Sequence, residues 1–310
     1  MPYQIETMKD STTIKAMRQL DGVLVLNKPV GPTSTHCLNI IKRMGQKKIG
    51  HAGTLDPMAG GVLLVLLGQA TKLSSWLLGA GTKIYVGEAC LGVETDTWDA
   101  TGAVMAEKPP HGLDEALIGA QIKAWKELSL QEVPPYSAAK YRGKPLYHYA
   151  RRGMEAPKKI KNIKIHAADM LGWEQPIARF RVVCDSGAYI RSLAHSLGER
   201  LGCGASLCGL VREYSHPFGL DEAVDLESII EDPAILERNV RPLEDALPQW
   251  PRVELDEMDL RKVKNGIAIR AAANTAKNAF LCRNGKARAL ATLTAGERGL
   301  VWKVSRGLWN

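Results

Sequence analysis

Gly50-His51-Ala52-Gly53-Thr54-Leu55-Asp56-Pro57 sets one carboxylate among two glycines and a proline, and the apolar run 62–67 follows it after Met58-Ala59-Gly60-Gly61. Six consecutive aliphatic residues bounded by glycines have the length of a strand buried on both faces. Pro57 disfavours helical angles at Asp56 and turns the chain there. A carboxylate on a turn beside a buried strand is placed to meet a ligand; the same residue can also close an Asx turn on its own backbone. Four cations, Lys42, Arg43, Lys47 and Lys48, precede the octet.

Working outward, Val23-Leu24-Val25-Leu26 reads as a short strand apolar on both faces. Residues 36–44 suit a helix with Ser34 or Thr35 as cap and Gly45 at its end. Residues 71–78 suit a helix closed by Gly79, and 83–91 a strand. Phe180, Val182 and Cys184 alternate with Arg179 and Arg181, as in a strand with one polar face. The period then changes: Ile190, Leu193, Ala194, Leu197 and Leu201 follow helical spacing up to Gly202. Tyr189 and Arg191 thus stand where a strand hands over to a helix. After Pro242, Pro248 and Pro251, short apolar segments alternate with the turn signals Asn265-Gly266 and Asn284-Gly285, a β-rich pattern. The expected organisation is an extension over 1–20, an α/β-containing domain over 21–248, and a small β-rich domain over 249–310.

A chain of 310 residues holds two domains with substantial cores. Its 45% hydrophobic and 24% charged residues are ordinary for a soluble globular protein, and no apolar run approaches bilayer length. The N-terminus lacks a basic-then-apolar leader, so a cytoplasmic location is expected. The six cysteines form no Cys-x-x-Cys pair and suit reduced, mostly buried thiols. The net charge of +8 is unevenly spread. Residues 140–191 carry 12 Lys/Arg against 4 Asp/Glu and 249–310 carry 12 against 5, whereas 221–245 carry 2 against 9. Two basic regions around an acidic one suit two contacts with a polyanion. Aromatic residues in both (Tyr141, Tyr147, Tyr149; Trp302, Trp309) suit a nucleic acid.

Further blocks lie in order along the chain. They are Asn27-Lys28-Pro29, Gly68-Gln69-Ala70-Thr71-Lys72, Lys83-Ile84-Tyr85 and Thr95-Asp96-Thr97-Trp98-Asp99-Ala100-Thr101-Gly102. Pro134-Pro135-Tyr136-Ser137-Ala138-Ala139-Lys140 follows, with Gly143, Tyr147 and Ala150-Arg151, and then Gly187-Ala188-Tyr189-Ile190-Arg191-Ser192-Leu193. Together with the octet, this series resembles the TruB-type pseudouridine synthases over about residues 22–218. The resemblance implies an α+β fold: a mixed, largely antiparallel sheet with flanking helices, an RNA-gripping insertion over about 131–164, and a small β-rich, PUA-like C-terminal domain. It implies isomerisation of uridine to pseudouridine at position 55 in the tRNA T-loop, on a flipped nucleotide. The implied partner is the T-arm of tRNA, with no metal, no cofactor, and a monomer that has no obligate protein partner.

That reaction breaks N1–C1′, rotates the base and joins C5 to C1′, so it exchanges no atoms with a donor and needs no redox group. It needs a nucleophile, a hold on the detached base and loss of the C5 proton. By resemblance, Asp56 is the nucleophile, and an aspartate is ordinarily ionised at neutral pH. Whether it attacks C6 or C1′ is open. Arg191 is its implied cationic partner, and Tyr85 stacks on the base and is a candidate to assist C5 deprotonation. Tyr189 lines the pocket or supports Arg191, and Leu210 forms a pocket wall. His51 is the implied occupant of the space the nucleotide leaves, offsetting part of the few kcal/mol of unstacking. Lys28 orders the site or touches phosphate. Ala188 stands in place of the family's Thr, Ser196 in place of an Asp, and Leu210-Val211-Arg212-Glu213 departs from its Leu-Arg-Arg run. Two other readings are an RNA-binding or tRNA-folding protein with an incidental catalytic loop, and a guide-RNA-dependent relative that modifies ribosomal RNA. A phosphate-loop enzyme would need the Gly-x-x-x-x-Gly-Lys-Ser/Thr pattern, which this chain lacks.

Overall fold

The strand Ala59–Leu67 is buried at all nine positions, because both its faces and both its edges are covered. One edge pairs antiparallel with Gly22–Lys28 along seven residues. The other is shared: Ile49–Ala52 takes its C-terminal half, and Ala205–Ser215 runs parallel to its first three residues. Alternation divides its side chains between two cores. Leu63, Val65 and Leu67 join Ile41, Phe180 and Leu193, whereas Val62, Leu64 and Leu66 join Trp250 and Phe280.

The computed structural model describes residues 18–79, 81–150, 152, 154, 157–272, 276–297 and 299–309. Most of the expected extension (1–17) and Arg151 of the insertion lie outside them. The central nine-stranded sheet has the order Ile165–Glu174, Ile177–Asp185, Thr82–Leu91, Ala205–Ser215, Ala59–Leu67, Gly22–Lys28, Val224–Asp225, with two short strands paired alongside. Its pairs are mostly antiparallel and two of this series are parallel, the mixed α+β arrangement the resemblance implies. Helices Ser34–Arg43 and Ile190–Leu201 cover one face through Cys37, Leu38, Ile41, Leu193 and Leu197. Among the described residues no helix is long and apolar enough to cross a membrane.

The structure corrects several local readings. The first helix is capped by Thr33, whose side chain accepts from the His36 amide, one residue before the expected Ser34. Residues 68–73 form a 3-10 segment, and only Ser74–Gly79 is α-helical. Asn265-Gly266 ends the helix Glu257–Lys264, with Gly266 left-handed at φ 71°, so it makes a helix stop and not a hairpin. Asn284-Gly285, both at positive φ, does turn the hairpin between Asn278–Arg283 and Lys286–Gly296. The six cysteines are free; Cys90 and Cys208 are half-buried and the other four buried.

The insertion leaves the body through a short antiparallel stem, Leu130–Glu132 against Ile160–Asn162. It carries the small hairpin Lys140–Tyr141/Lys144–Pro145 and the helical turn Leu146–Ala150. At the C-terminal end, five strands in the order Arg252–Glu254, Asn278–Arg283, Lys286–Gly296, Gly299–Gly307, Ile269–Arg270 form a separate sheet. Its strand Asn278–Arg283 points Phe280 and Cys282 at the central sheet and Ala279 and Leu281 into a core of its own with Val263 and Trp302. Trp250 packs edge-on against Trp76 at 5.5 Å, so the two units share a core. Trp302 is a core residue of this sheet and offers no surface to RNA.

Candidate active site

The loop carrying Asp56 is fixed at four points before any charge at the site is considered. Arg212 Nη2 donates to the Gly53 carbonyl at 2.8 Å. Ser34 Oγ donates to the Leu55 carbonyl at 2.9 Å and accepts from the Leu55 amide at 3.0 Å. The Gly31 amide donates to the Pro57 carbonyl at 2.8 Å. Beneath the loop, the fully buried Lys28 donates to the carbonyls of Ala59 and Pro29 at 2.7 and 2.8 Å. Gly53 has φ 81°, and a Cβ there would sit 3.3 Å from both Arg212 and Lys83. The octet's glycine is therefore required by backbone angle and by close approach alike.

The Asp56 side chain is about 40% exposed and faces Arg191, whose Nε lies 3.0 Å from Oδ2. The Nε–H lies outside hydrogen-bond alignment, so this is an ion contact that does not engage the oxygen as a directed acceptor. Arg191 is held from the other side. Its Nη1 donates to the Thr97 carbonyl at 2.9 Å and lies 3.4 Å from Asp99 Oδ2, and its Nη2 donates to the Tyr136 carbonyl at 3.1 Å. Asp99 is buried and accepts from Thr97 Oγ1 at 2.9 Å and the Thr101 amide at 3.0 Å. One guanidinium thus joins the aspartate loop, the segment around Asp99 and the root of the insertion. Such multiple anchoring suits arginine's planar fork.

The floor of the site is sheet. Lys83 and Tyr85 alternate with outward residues along Thr82–Leu91, and Arg212 on the neighbouring strand pairs in register with Tyr85. Arg212 is almost wholly buried; its Nε donates to the Val62 carbonyl at 2.7 Å, and its side chain is hydrogen-bonded to the Tyr85 hydroxyl. Burial raises the pKa of that phenol, with the charge and hydrogen bond of Arg212 opposing, so Tyr85 is held protonated. Burial, reinforced by Arg212, brings Lys83 down to about 8. A cavity of about 550 Å³ opens over this floor, and Asp56, Lys83, Tyr85, Tyr189, Arg191, Leu210 and Arg212 all line it.

Five of the seven residues singled out in the sequence therefore meet at one cavity: Asp56, Tyr85, Tyr189, Arg191 and Leu210. Tyr189 precedes the helix Ile190–Leu201 and hands Arg191 to the site. Lys28 lies below the loop with its ammonium on backbone carbonyls, which makes it a support of the loop and leaves no route to phosphate. His51 stands opposite Val65 on Ile49–Ala52, outside the cavity lining. Burial and then Arg212 lower its pKa, and its Nδ1 is buried with no hydrogen-bond partner among the described residues. The sequence alone assigns no role to Asp99, Lys83 or Arg212. Alternation along 82–91 places Lys83 on the face of Tyr85, a signal available in the sequence; the cross-strand match with Arg212 is not.

Residues 42–190 match the family model described as TruB family pseudouridylate synthase, N-terminal domain. A tRNA pseudouridine synthase B of Oleidesulfovibrio alaskensis is 52% identical over 304 residues, covering 95% of this chain and 98% of that protein. One from Nitratidesulfovibrio vulgaris Hildenborough is 50% identical, covering 94% and 99%. One from Geobacillus thermodenitrificans is 40% identical, covering 81% and 86%. Among solved structures, a chain of a Cbf5–Nop10–Gar1 complex superposes with a TM-score of 0.68 at 25% identity, covering 93% of this chain and 85% of that one. The overall fold thus recurs in a more distant protein. Identity at this level over nearly the whole length, with the aspartate loop inside the matched segment, places the chain in the TruB family of pseudouridylate synthases.

Proposed function

We propose that this chain isomerises uridine at position 55 in the T-loop of tRNA, with Asp56 as the nucleophile toward a flipped nucleotide. Membership of a family whose near relatives are tRNA pseudouridine synthases makes uridine isomerisation in tRNA the reaction class. The observation that carries the assignment to Asp56 is its half-exposed carboxylate at the cavity, paired with a buried arginine that is itself fixed by Asp99 and two carbonyls. The cavity's size, about 550 Å³, falls in the ~300–1,000 Å³ range of small-ligand pockets and suits a nucleotide turned out of its stack.

The geometry supports a division of labour. Arg191 holds the carboxylate in place by ion contact without donating a directed bond to it. Tyr85 stacks under the base from the sheet, and its protonated hydroxyl, tied to Arg212, can pass a proton on but is not itself a phenolate base. Tyr189 and Leu210 close the walls. His51, a neutral ring at the edge of this region, fills the gap left in the T-loop stack. The insertion presents Tyr141 and Tyr147 at about 40% exposure among Lys140, Arg142 and Lys144, and grips the T-arm. Residues 249–310 act as a PUA-like unit holding another part of the tRNA. The protein works as a cytoplasmic monomer.

The test is tritium release from tRNA transcript labelled at uridine C5. Release by the wild type that vanishes in Asp56→Asn, with tRNA binding retained, supports the assignment. Binding of tRNA with no release by the wild type would show a tRNA-folding protein instead.

A further inference from the structure

The cavity contains more positive charge than the nucleophile accounts for. Arg191 is shared between Asp56 and Asp99, so that group of three is already net negative. The lining also carries Lys83 and Arg212, both buried, and Lys161, and Asp56 is the one carboxylate among the described lining residues. Arg212 has structural work: it holds Gly53, Val62 and Tyr85. Lys83 has little. Among the described residues its ammonium makes one hydrogen bond, to Ser186 Oγ at 3.0 Å, and no ion pair, although it is 7% exposed. An ammonium has three donors, and burying it beside a guanidinium without a counter-ion is unfavourable. Folding tolerates such a group where a ligand completes it.

The chemistry identifies that ligand. If Asp56 attacks C1′, the N1–C1′ bond breaks and its electron pair leaves on the base, spreading over N1 and the two ring carbonyl oxygens. If Asp56 attacks C6, a C6–O bond forms and the C5–C6 π pair moves onto C5 and O4. On either route one negative charge arises on the ring carbonyls. It is discharged once N1–C1′ has broken and C5 bonds to C1′, the bond to Asp56 breaks and returns its electron pair to the carboxylate, the C5 proton departs and N1 gains one. A cation at the cavity floor is placed to stabilise that charge while it exists.

We propose that Lys83 is a catalytic residue whose ammonium hydrogen-bonds a carbonyl oxygen of the uracil ring as it becomes anionic. The inference rests on the uridine-isomerase reading above. Lys83 transfers no proton in the net reaction; it acts as a fixed charge, the role played by donors in an oxyanion hole. Its depth distinguishes it from a backbone contact, since phosphates lie at the rim of a flipped nucleotide and the floor meets the base.

The experiment is single-turnover tritium release at saturating tRNA, with tRNA affinity measured separately, for wild type, Lys83→Met, Lys83→Arg and Lys83→Ala. The expected loss in Lys83→Met is about 10²–10³-fold in rate, the scale of removing one oxyanion donor, with the Kd for tRNA unchanged. Lys83→Ala should recover rate on addition of propylammonium, in proportion to the protonated amine. A normal rate at saturation with weakened, less salt-dependent binding would make Lys83 a phosphate contact and overturn the proposal. Equal loss in all three variants with no amine rescue would reduce it to an anchor for Ser186, and also overturn it. Wild type that releases no tritium would instead refute the isomerase reading itself.

Discussion

Gln131 and the backbone of Tyr189 hold each other through two hydrogen bonds: Nε2 donates to the Tyr189 carbonyl at 3.0 Å, and the Tyr189 amide donates to Oε1 at 2.8 Å. Gln131 belongs to the stem of the insertion, and Tyr189 immediately precedes the helix that carries Arg191. Ser192 Oγ adds a third tie, donating to the Glu132 carbonyl at 2.7 Å. The insertion is thereby joined to the arginine that pairs with Asp56, so loss of this joint should be felt in chemistry as well as in binding.

Gln131→Met preserves volume and removes both bonds, leaving the Tyr189 amide unpaired in a partly buried setting. The expected cost is about 1–3 kcal/mol of stability, read by urea unfolding. The single-turnover rate should fall roughly tenfold, the effect of a small misplacement of a catalytic group. An unchanged rate in the folded variant would mean that Arg191 is positioned by Asp99, Thr97 and Tyr136 alone.

Gly61 offers a test of the backbone argument, because φ is 96° and a Cβ would lie 2.4 Å from the Arg212 carbonyl oxygen. The clash is with backbone in the middle of the sheet, where neither strand can retreat. Gly61→Ala should destabilise the protein by at least about 2 kcal/mol and, by displacing Arg212, loosen the Gly53 carbonyl. Thermal unfolding checks the first effect. Gly143, at φ 82° with open space around it, is the control: Ala there should cost about 1 kcal/mol.

What the sequence reveals and what it hides divide along physical lines. Asp56, Tyr85 and Arg191 are readable because each sits in a short contiguous block whose spacing survives in the fold. The strand over 62–67 is readable because a segment buried on both faces must be continuously apolar. Lys83 stands in the same block as Tyr85, yet its isolation from counter-ions is a property of the assembled cavity. Arg212 keeps an arginine of the Leu-Arg-Arg run from which Val211 departs, yet its role stays hidden because its register opposite Tyr85 arises from two strands far apart in the chain. The basic residues around Trp302 suggest an RNA contact, but the strand's alternation turns its ring inward.

Affinity for tRNA should depend on the exposed cations of the insertion. Lys158 is 84% exposed at 3.7 Å from Glu132, and Arg142 stacks over the Tyr141 ring at 5.4 Å. Replacing Lys144, Lys158 and Arg142 by Ala should weaken binding and reduce the slope of log K against log salt by about one for each phosphate no longer neutralised. The measurement is a filter-binding titration at several salt concentrations. A slope equal to wild type would show that this surface does not face phosphate.

The buried ammonium of Lys83 also predicts a stability effect with a defined pH sense. Its pKa falls from the ordinary 10.5 to about 8 through burial, as does that of Lys28. Between pH 8 and 10.5 the unfolded chain therefore binds more protons at these two positions than the folded one, and stability from them rises with pH across that window. Buried thiols act oppositely: burial raises Cys184, Cys208 and Cys282, so the folded state holds more protons above about pH 9. The informative quantity is the difference between wild type and Lys83→Met, in which Lys28, Cys208 and Cys282 cancel and only Cys184, whose charge interacts with Lys83, does not. At about pH 7 the variant should be more stable by about 1–3 kcal/mol, because an uncompensated charge gives way to an apolar chain of similar length. The advantage should shrink as pH rises from about 8 toward about 10. Chemical denaturation at intervals across that range measures it. A variant less stable than wild type at neutral pH would mean that the bond to Ser186 outweighs the burial of the charge. A variant that is both more stable and slower would show a cation kept for chemistry at the expense of the fold.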